Sequence, residues 1–112
     1  MTYSIKISLT RRLLYVRQGN KVVRTYPVGV GKIETATPVG RYHIISKVRN
    51  PGGPFGAMWL GLSQPHYGIH GTNNPSSIGG AVSKGCIRMY NRDVLELSQL
   101  VAVGTPVSIE NN

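Results

Sequence analysis

Short runs of β-prone residues separated by turn signals constrain this chain more than any other feature. From Tyr3 to Leu9 apolar residues alternate with Ser and Lys, which is the two-residue period of a strand with one buried face. The runs Leu13 to Val16 and Val22 to Val28 flank Gln18-Gly19-Asn20, and this arrangement predicts a hairpin. Three further runs have the same character and are also predicted strands: Gly40 to Ser46, Ala57 to Leu62 and Thr105 to Ile109.

One segment near the end of the chain has the spacing of an amphipathic helix. It is predicted to begin at Asn91 as the N-cap, with Asp93 in the first turn and Gly104 as the C-terminal cap. Its apolar residues are Val94, Leu95, Leu97, Leu100 and Val101. Because the pattern lacks the crossover helices of a parallel sheet, the predicted fold class is mostly β, a small antiparallel sandwich or barrel with one late helix.

Length and charge limit the organisation of the chain. Its 112 residues suffice for one hydrophobic core, so we predict a single domain over residues 1–112. The formal net charge of +9 favours polyanions as partners, although the Lys and Arg residues are scattered as on a solvated surface. No stretch approaches the roughly 20 apolar residues of a membrane span. The first residues also lack a signal peptide's apolar stretch, so we expect no stable membrane insertion and no export signal in this chain.

The single cysteine is the first candidate for chemistry. One cysteine excludes an internal disulfide, so a functional Cys86 must act as a thiol; an inert buried cysteine is the alternative. Gly85 before it allows main-chain amides to approach a reacting carbonyl and form an oxyanion hole. A thiol with an ordinary pKa is mostly protonated at neutral pH, so it needs a base or a positive field. His70, Lys84 and Arg88 are the candidates, and Arg88 would share one strand face with Cys86.

Two other functions compete with a cysteine enzyme at this stage. His43, His66, His70 and Cys86 are all potential zinc ligands. On an extended strand His66 and His70 would be about 13 Å apart at roughly 3.3 Å per residue, too far to share one ion. We therefore expect no metal and no other cofactor. The net charge also suits a non-catalytic basic module that binds an anionic polymer, although no aromatic and basic RNA-binding motif is present.

The stretch from His70 to Arg88 resembles the active-site signature of the L,D-transpeptidase catalytic domain, the YkuD-type family of peptidoglycan cross-linking enzymes. The shared motifs are His70-Gly71-Thr72 and Ser83-Lys84-Gly85-Cys86-Ile87-Arg88. The likeness extends to Thr37-Pro38-Val39-Gly40, to the loop from Asn50 to Gly56 and to the helix after Asn91. Many family members have a second histidine directly before the Gly-Cys pair, where this chain has Lys84. A second imidazole is therefore not essential here.

The resemblance implies an enzyme with Cys86 as nucleophile and His70 as its base, oriented by the main-chain carbonyl of Gly71. The thiol would form a thioester with a peptidoglycan tetrapeptide stem, release D-Ala and make 3→3 cross-links. With water as acceptor, the enzyme would be an L,D-carboxypeptidase. The residues expected to form or support the oxyanion hole are Gly71, Ser83, Gly85 and Arg88. Those expected to line the donor groove are Trp59, His66 and Tyr67, with core packing as the alternative for Trp59.

The resemblance also implies the partners and the location of the protein. We expect it to bind peptidoglycan stem peptides and anionic wall polymers, and not nucleic acid. The expected location is the cell wall or the spore envelope, outside the cytoplasmic membrane. Relative to the Bacillus members of the family that it resembles, the chain is expected to lack an N-terminal LysM wall-binding module.

Overall fold

The computed structural model of the chain describes residues 2–31, 38–83 and 86–112, with the backbone alone at 81–83. In these ranges the first strands are β1 (Tyr3–Ser8), β2 (Leu13–Gln18), β3 (Lys21–Pro27), β4 (Val30–Gly31) and β5 (Gly40–Arg49). The later strands are β6 (Met58–Leu62), β7 (Gly68–His70), β8 (Ala81–Ser83), β9 (Ile87–Arg88) and β10 (Pro106–Glu110). Helix α1 (Asn91–Leu100) lies between β9 and β10.

Eight of these strands form one curled sheet in the order β3-β2-β1-β10-β5-β6-β7-β9, and β4 pairs with β8 beside it. Five neighbouring pairs in the large sheet are antiparallel, which confirms the predicted mostly β, mostly antiparallel fold with one late helix. A bridge between Gly29 and Arg88 joins the segment after β3 to β9, so the sheet curls into a half-barrel.

Two strand pairs in this sheet are parallel, which the sequence did not predict. They are β1 with β10 and β7 with β9. Parallel strands need a long connection, which is usually a helix. Between β7 and β9 the connection is instead residues 71–86, which include a 3₁₀ turn at Pro75–Ser77 and strand β8. Without a strand-helix-strand pattern, the sequence carries no signal for this pairing.

The inner face of the sheet forms the hydrophobic core. Ile5 and Ile7 of β1 lie opposite Val107 and Ile109 of β10, and all four side chains are buried. Lys6 between them remains partly exposed, so the alternation seen in the sequence separates core from solvent. Each buried aliphatic side chain of this kind contributes about 1.5–3 kcal/mol of burial free energy.

Helix α1 packs its apolar face against β6 and β7. Val94, Leu97 and Val101 are buried, as the helical spacing predicted. The prediction that Asn91 is the N-cap is wrong, because the cap is Tyr90 and Asn91 is the first helical residue. The Asn91 amide hydrogen-bonds to the backbone of other segments instead of capping the helix.

Several element ends differ from those predicted. Strand β5 continues past Ser46 to Arg49 because this part of it pairs with β6. The segment after Asn50 leaves the ladder and forms a 3₁₀ turn at Gly53–Phe55. Gly104, predicted to cap α1, lies beyond the cap in the turn before β10, with a φ of 98°. In the described ranges, no helix has the length and apolar content to cross a membrane.

Lys47 of β5 ties the sheet to the C-terminal end of α1. Its Nζ donates to the carbonyl oxygens of Ser98 at 2.6 Å and Val101 at 3.0 Å. These carbonyls are in the last turn, where the helix has no backbone donors for them and where its dipole favours a cation. Lys47 therefore fixes the end of α1 over the sheet that carries the site.

We expect Lys47→Met to lower the free energy of unfolding by about 1–2 kcal/mol, because the stem stays while two charged hydrogen bonds are lost. Urea denaturation measures the change. Arg49→Met is the matched control, since Arg49 is an exposed cation on the same strand and should change stability by less than about 0.5 kcal/mol. Equal losses in the two variants would contradict the capping role.

Candidate active site

Strands β7 and β9 bring the predicted nucleophile and base to neighbouring positions. The strands pair in parallel with His70 directly opposite Arg88. In this register Cys86, just before β9, lies alongside Gly68, two residues before His70 on β7. Two residues at about 3.3 Å each and one strand spacing of about 4.8 Å put the Cα atoms of Cys86 and His70 about 8 Å apart. Residues two apart along a strand share a face, so both side chains lie on the same face of the sheet, and a diagonal of this length is within reach of an aromatic side chain such as His70.

The Cys86 thiol is half-buried and protonated in this environment. Its Sγ–H group donates to the carbonyl oxygen of His66 at 3.6 Å. Burial raises the pKa of the Cys86 thiol, while the N–H of Gly68 and the charge of Arg88 lower that pKa in part. Burial has the largest effect on the pKa, so the resting group is a thiol and not a thiolate.

The His70 imidazole is buried, with only 3% of the residue exposed, and it is held in one tautomer. Its Nδ1 lies 2.5 Å from the carbonyl oxygen of Gly71. A carbonyl oxygen only accepts hydrogen bonds, so Nδ1 carries the hydrogen and Nε2 of the neutral ring can accept a proton. Burial lowers the pKa of His70, the Gly71 bond raises it in part, and the charge of Arg88 lowers it further. The ring is therefore neutral at neutral pH.

Two aromatic rings surround this imidazole. Trp59 of β6 is the cross-strand neighbour of His70, and its ring stacks on the imidazole at 5.6 Å between centroids and 16° between planes. Phe55, from the 3₁₀ turn, meets the imidazole edge-on at 5.1 Å and the indole at 5.2 Å. These rings remove water from around the imidazole, which is the physical origin of its lowered pKa. Phe55 has no role in the predicted site, because no local pattern indicates that this turn folds over β7.

Among the described residues, Arg88 is the cation whose charge acts on both groups. Its backbone pairs with Gly29 through two hydrogen bonds of 2.8 and 2.9 Å, so the segment after β3 fixes it. Its charge affects the pKa of both Cys86 and His70. Its Nε is buried and has no hydrogen-bond partner within the described part of the chain. A buried guanidinium N–H of this kind is available to an anionic group of a ligand.

The other predicted site residues take varied positions. His66 is exposed, has a φ of 71° and contributes its carbonyl oxygen to the Cys86 thiol. Tyr67 is partly buried and packs on the hydrophobic core. Three predictions lie outside what the structure describes: those for Thr37, Lys84 and Gly85. The same is true of the Ser83 side chain.

Metal ligands do not gather at this site. Among residues 2–31, 38–83 and 86–112 no group of three His, Cys, Asp or Glu side chains is arranged to hold a metal ion. His43 pairs with Pro106 across β5 and β10, and strand β6 separates β5 from β7. The described residues thus bring together a thiol, an imidazole and a guanidinium.

The fold and the site together define a class of protein: a mostly β domain in which a histidine at the end of one strand lies diagonally across from a cysteine just before the neighbouring strand. A model of the YkuD family, described as the L,D-transpeptidase catalytic domain, matches residues 2–109. The chain therefore belongs to the YkuD family of L,D-transpeptidase catalytic domains, as the motif resemblance predicted.

Curated relatives from Bacillus resemble most of the chain. The protein named as L,D-transpeptidase YkuD of Bacillus subtilis is 60% identical over 107 residues, which is 96% of this chain and 65% of the relative. The chain thus spans just under two thirds of that protein. The protein named as L,D-transpeptidase YqjB of the same organism is 41% identical over 83% of this chain and 62% of its own length.

Solved structures share the fold at lower identity. The catalytic domain of an Enterococcus faecium L,D-transpeptidase matches 96% of this chain and 95% of its own, with a TM-score of 0.82 and 23% identity. An L,D-transpeptidase from Mycobacterium smegmatis matches 96% of this chain and 58% of its own, with a TM-score of 0.84 and 19% identity. These likenesses establish the fold of the half-barrel.

We expect Trp59→Leu to raise the pKa of His70 toward the ordinary value of about 6.5, because water would reach one face of the imidazole. The pKa of His70 is lower in the folded protein than in the unfolded protein. The full stability is therefore present above the unfolded-state pKa, and part of it is lost as the pH falls below that value. The variant should therefore lose less stability on acidification than the wild type. NMR titration of the His70 ring proton measures the pKa. Tyr15→Leu, at the other end of the sheet, is the control; an unchanged His70 pKa in Trp59→Leu would contradict the prediction.

Proposed function

We propose that this chain is a cysteine-dependent L,D-transpeptidase that acts on peptidoglycan stem peptides, with Cys86 as nucleophile and His70 as base. The observation that carries the proposal is the β7 and β9 register, which sets a thiol diagonally across from a buried imidazole whose Nε2 can accept a proton. The names of the relatives support the substrate class. Because the chain spans only part of those relatives, the activity of the whole protein belongs to the proposal.

In the first step Cys86 sulfur attacks the carbonyl carbon of the third residue of a donor tetrapeptide stem. His70 Nε2 takes the thiol proton as the carbon–sulfur bond forms. The amide bond to the terminal D-Ala then breaks, and the imidazolium returns the proton to the departing amine. The products are a thioester on Cys86 and free D-Ala, and no oxidation or reduction takes place.

The resting pair in this mechanism is neutral. Burial favours the thiol form of Cys86 and the neutral form of His70, so neither group is charged before the substrate arrives. Proton transfer then accompanies the attack and does not precede it. A neutral base next to a neutral thiol is the arrangement that general-base catalysis requires.

The second step consumes the thioester. An amine from a neighbouring stem attacks the thioester carbonyl and gives His70 its proton. The carbon–sulfur bond breaks, the imidazolium returns that proton to the departing Cys86 sulfur, and a 3→3 cross-link and the resting thiol result. Water as acceptor would give the L,D-carboxypeptidase product. Both acceptors need the same base at the same place, so the geometry of His70 serves either outcome.

Other residues take supporting roles in the proposal. The buried Nε of Arg88 would bind a carboxylate of the donor stem, which would supply the hydrogen-bond partner it lacks among the described residues. Backbone amides at Gly85 and Cys86 would form the oxyanion hole, with Gly71 and Ser83 supporting the loops. Trp59, His66 and Tyr67 would line the donor groove. Because peptidoglycan lies outside the cytoplasmic membrane, the proposed location is the cell wall or the spore envelope.

The acyl-enzyme is tested by intact-mass spectrometry with a disaccharide tetrapeptide and with a carbapenem. One L,D-transpeptidase with this fold has been solved with imipenem, and another, from Mycobacterium tuberculosis, with a faropenem-derived adduct, which supports β-lactams as probes. We expect an adduct on the wild type, none on Cys86→Ala, and acylation of His70→Ala slowed by about 100-fold or more, the typical contribution of a general base.

His43→Ala is the matched control, since His43 is an exposed histidine on β5. Acylation of this variant should match that of the wild type. An adduct that persists in Cys86→Ala, or a folded wild type that gains none with either probe, would refute the proposed enzyme and favour a non-catalytic basic wall-binding module.

We also propose that the outer face of β1 and β2 binds an anionic wall polymer. Lys6, Arg11, Tyr15 and Arg17 line a depression of about 380 Å³ on this face. Within the described residues the Arg11 and Arg17 guanidinium groups have no ion pair, and Lys6 meets Glu110 at 3.8 Å. Lys6, Arg11 and Arg17 bring three positive charges to this face against the one carboxylate of Glu110, so a chain of phosphate groups laid across them would relieve their mutual repulsion.

The polymer site predicts a specific salt dependence. Poly(glycerol phosphate) should bind the wild type, and Lys6→Gln/Arg17→Gln should lower the slope of log K against log salt by about 1.4, at about 0.7 per lost contact. The control Arg49→Gln/Arg92→Gln removes equal charge elsewhere and should keep most of the slope. Equal changes in the two double variants would show that net charge alone acts, which would contradict a site. Single-stranded DNA bound equally well would also contradict it.

A further inference from the structure

Asn91, the first residue of α1, connects three segments around the candidate base. Its Oδ1 accepts hydrogen bonds from the backbone N–H of Ala57 at 3.0 Å and of Thr72 at 3.1 Å. Its Nδ2 donates to the carbonyl oxygen of Thr72 at 3.1 Å. Only one orientation of the amide satisfies all three groups, because the oxygen must face the two donors. The side chain therefore holds Thr72 by both of its backbone polar groups.

The Thr72 N–H belongs to the same peptide unit as the Gly71 carbonyl. A peptide unit is planar, and in the trans form its N–H and C=O point in opposite directions. At one end the N–H of this unit donates to Asn91 Oδ1, and at the other end the C=O accepts from His70 Nδ1. Hydrogen bonds in such a series polarise one another. The orientation of the Asn91 amide is thus transmitted through one rigid plane to the imidazole.

Two glycines leave room for this amide. A Cβ atom at Gly56 or at Gly71 would collide with Asn91 Oδ1. Gly56 also has a φ of 64°, a conformation that suits glycine. Gly71 has no side chain to restrain its own backbone, so its carbonyl needs an external anchor to keep one direction. The Asn91 bond supplies that anchor.

We propose that Asn91 is a positioning residue: it fixes the Gly71–Thr72 peptide and thereby keeps His70 in the tautomer that leaves Nε2 free. The inference rests on the proposed role of His70 as the base. A purely structural role, in which Asn91 only fastens the start of α1 to the loops, would leave the tautomer and the reactivity of Cys86 unchanged.

The test compares Asn91→Ala, Asn91→Asp and the control Arg92→Ala. Nitrogen-15 NMR shifts of the His70 ring report the tautomer, and carbapenem acylation of Cys86 as a function of pH reports reactivity. We expect Asn91→Ala to populate both tautomers and to lose about 100-fold in acylation rate, the scale of a misplaced reacting group. Its pH profile should also shift to lower pH, because the Gly71 bond that raises the pKa of His70 is weakened.

Asn91→Asp separates positioning from the loss of any side chain. Its carboxylate accepts from the same two N–H groups and suits the first turn of a helix, so it should retain the tautomer. The oxygen that replaces Nδ2 cannot donate to the Thr72 carbonyl, so the rate should fall between those of the wild type and Asn91→Ala. Arg92→Ala should match the wild type, since that side chain is 85% exposed and pairs only with Asp93 among the described acids. If Asn91→Ala folds poorly, Asn91→Ser replaces it. Serine is favoured at helix starts, but its side chain is too short to bridge both N–H groups.

A single tautomer and an unchanged rate in Asn91→Ala or Asn91→Ser would overturn the inference, as would an Asn91→Asp variant as impaired as Asn91→Ala. The failure of the proposed function looks different. If wild-type Cys86 is never acylated but the tautomer still changes in Asn91→Ala, the catalytic proposal is wrong and the positioning contact stands.

Discussion

The parallel pairing of β7 with β9 is the interaction on which the rest of the site depends. Cys86 and His70 are 16 residues apart in sequence, and this short ladder is what makes them neighbours. Ile69 and Ile87 face each other in it and are fully buried, so the core holds the ladder in register. The Met89 N–H extends the ladder by donating to the His70 carbonyl at 2.8 Å. A slip of one residue would turn Cys86 to the opposite face of the sheet.

Burial acts in opposite directions on the pKa values of the two paired groups. It raises the pKa of Cys86 and lowers that of His70, because in each case the charged form loses hydration. The same environment therefore keeps both groups neutral. The positive charge of Arg88 stabilises the thiolate of Cys86 and destabilises the imidazolium of His70. After Cys86 loses its proton, the Arg88 charge therefore stabilises the negative charge on sulfur. The formal charge of +9 is spread over the whole surface and adds little to this local balance.

Much of the fold and part of the site could be predicted from the sequence. The alternation of apolar and polar residues predicts β1, and the helical spacing of apolar residues predicts α1, because both patterns depend only on neighbours within one element. Cys86 and His70 stood out through motif and residue type. The packing of Phe55 and Trp59 on His70 depends on how β6 and a distant turn meet β7, and no local pattern encodes that. Asn91 was misassigned for the same reason: an Asn at a helix start usually caps it, and here tertiary hydrogen bonds use the amide instead.

The contacts of His70 come from four separate elements, and they leave one direction for chemistry. Strand β6 covers one face of the ring with Trp59, and the 3₁₀ turn brings Phe55 to its edge. Strand β9 fixes the backbone, and α1 fixes the peptide that binds Nδ1 through Asn91. Nε2 has no hydrogen-bond partner within the described residues. Each contact restrains rotation or tautomer exchange of the imidazole, and Cys86 lies immediately before the neighbouring strand β9. A base held in this way has little orientational entropy left to lose when the thiol proton is transferred.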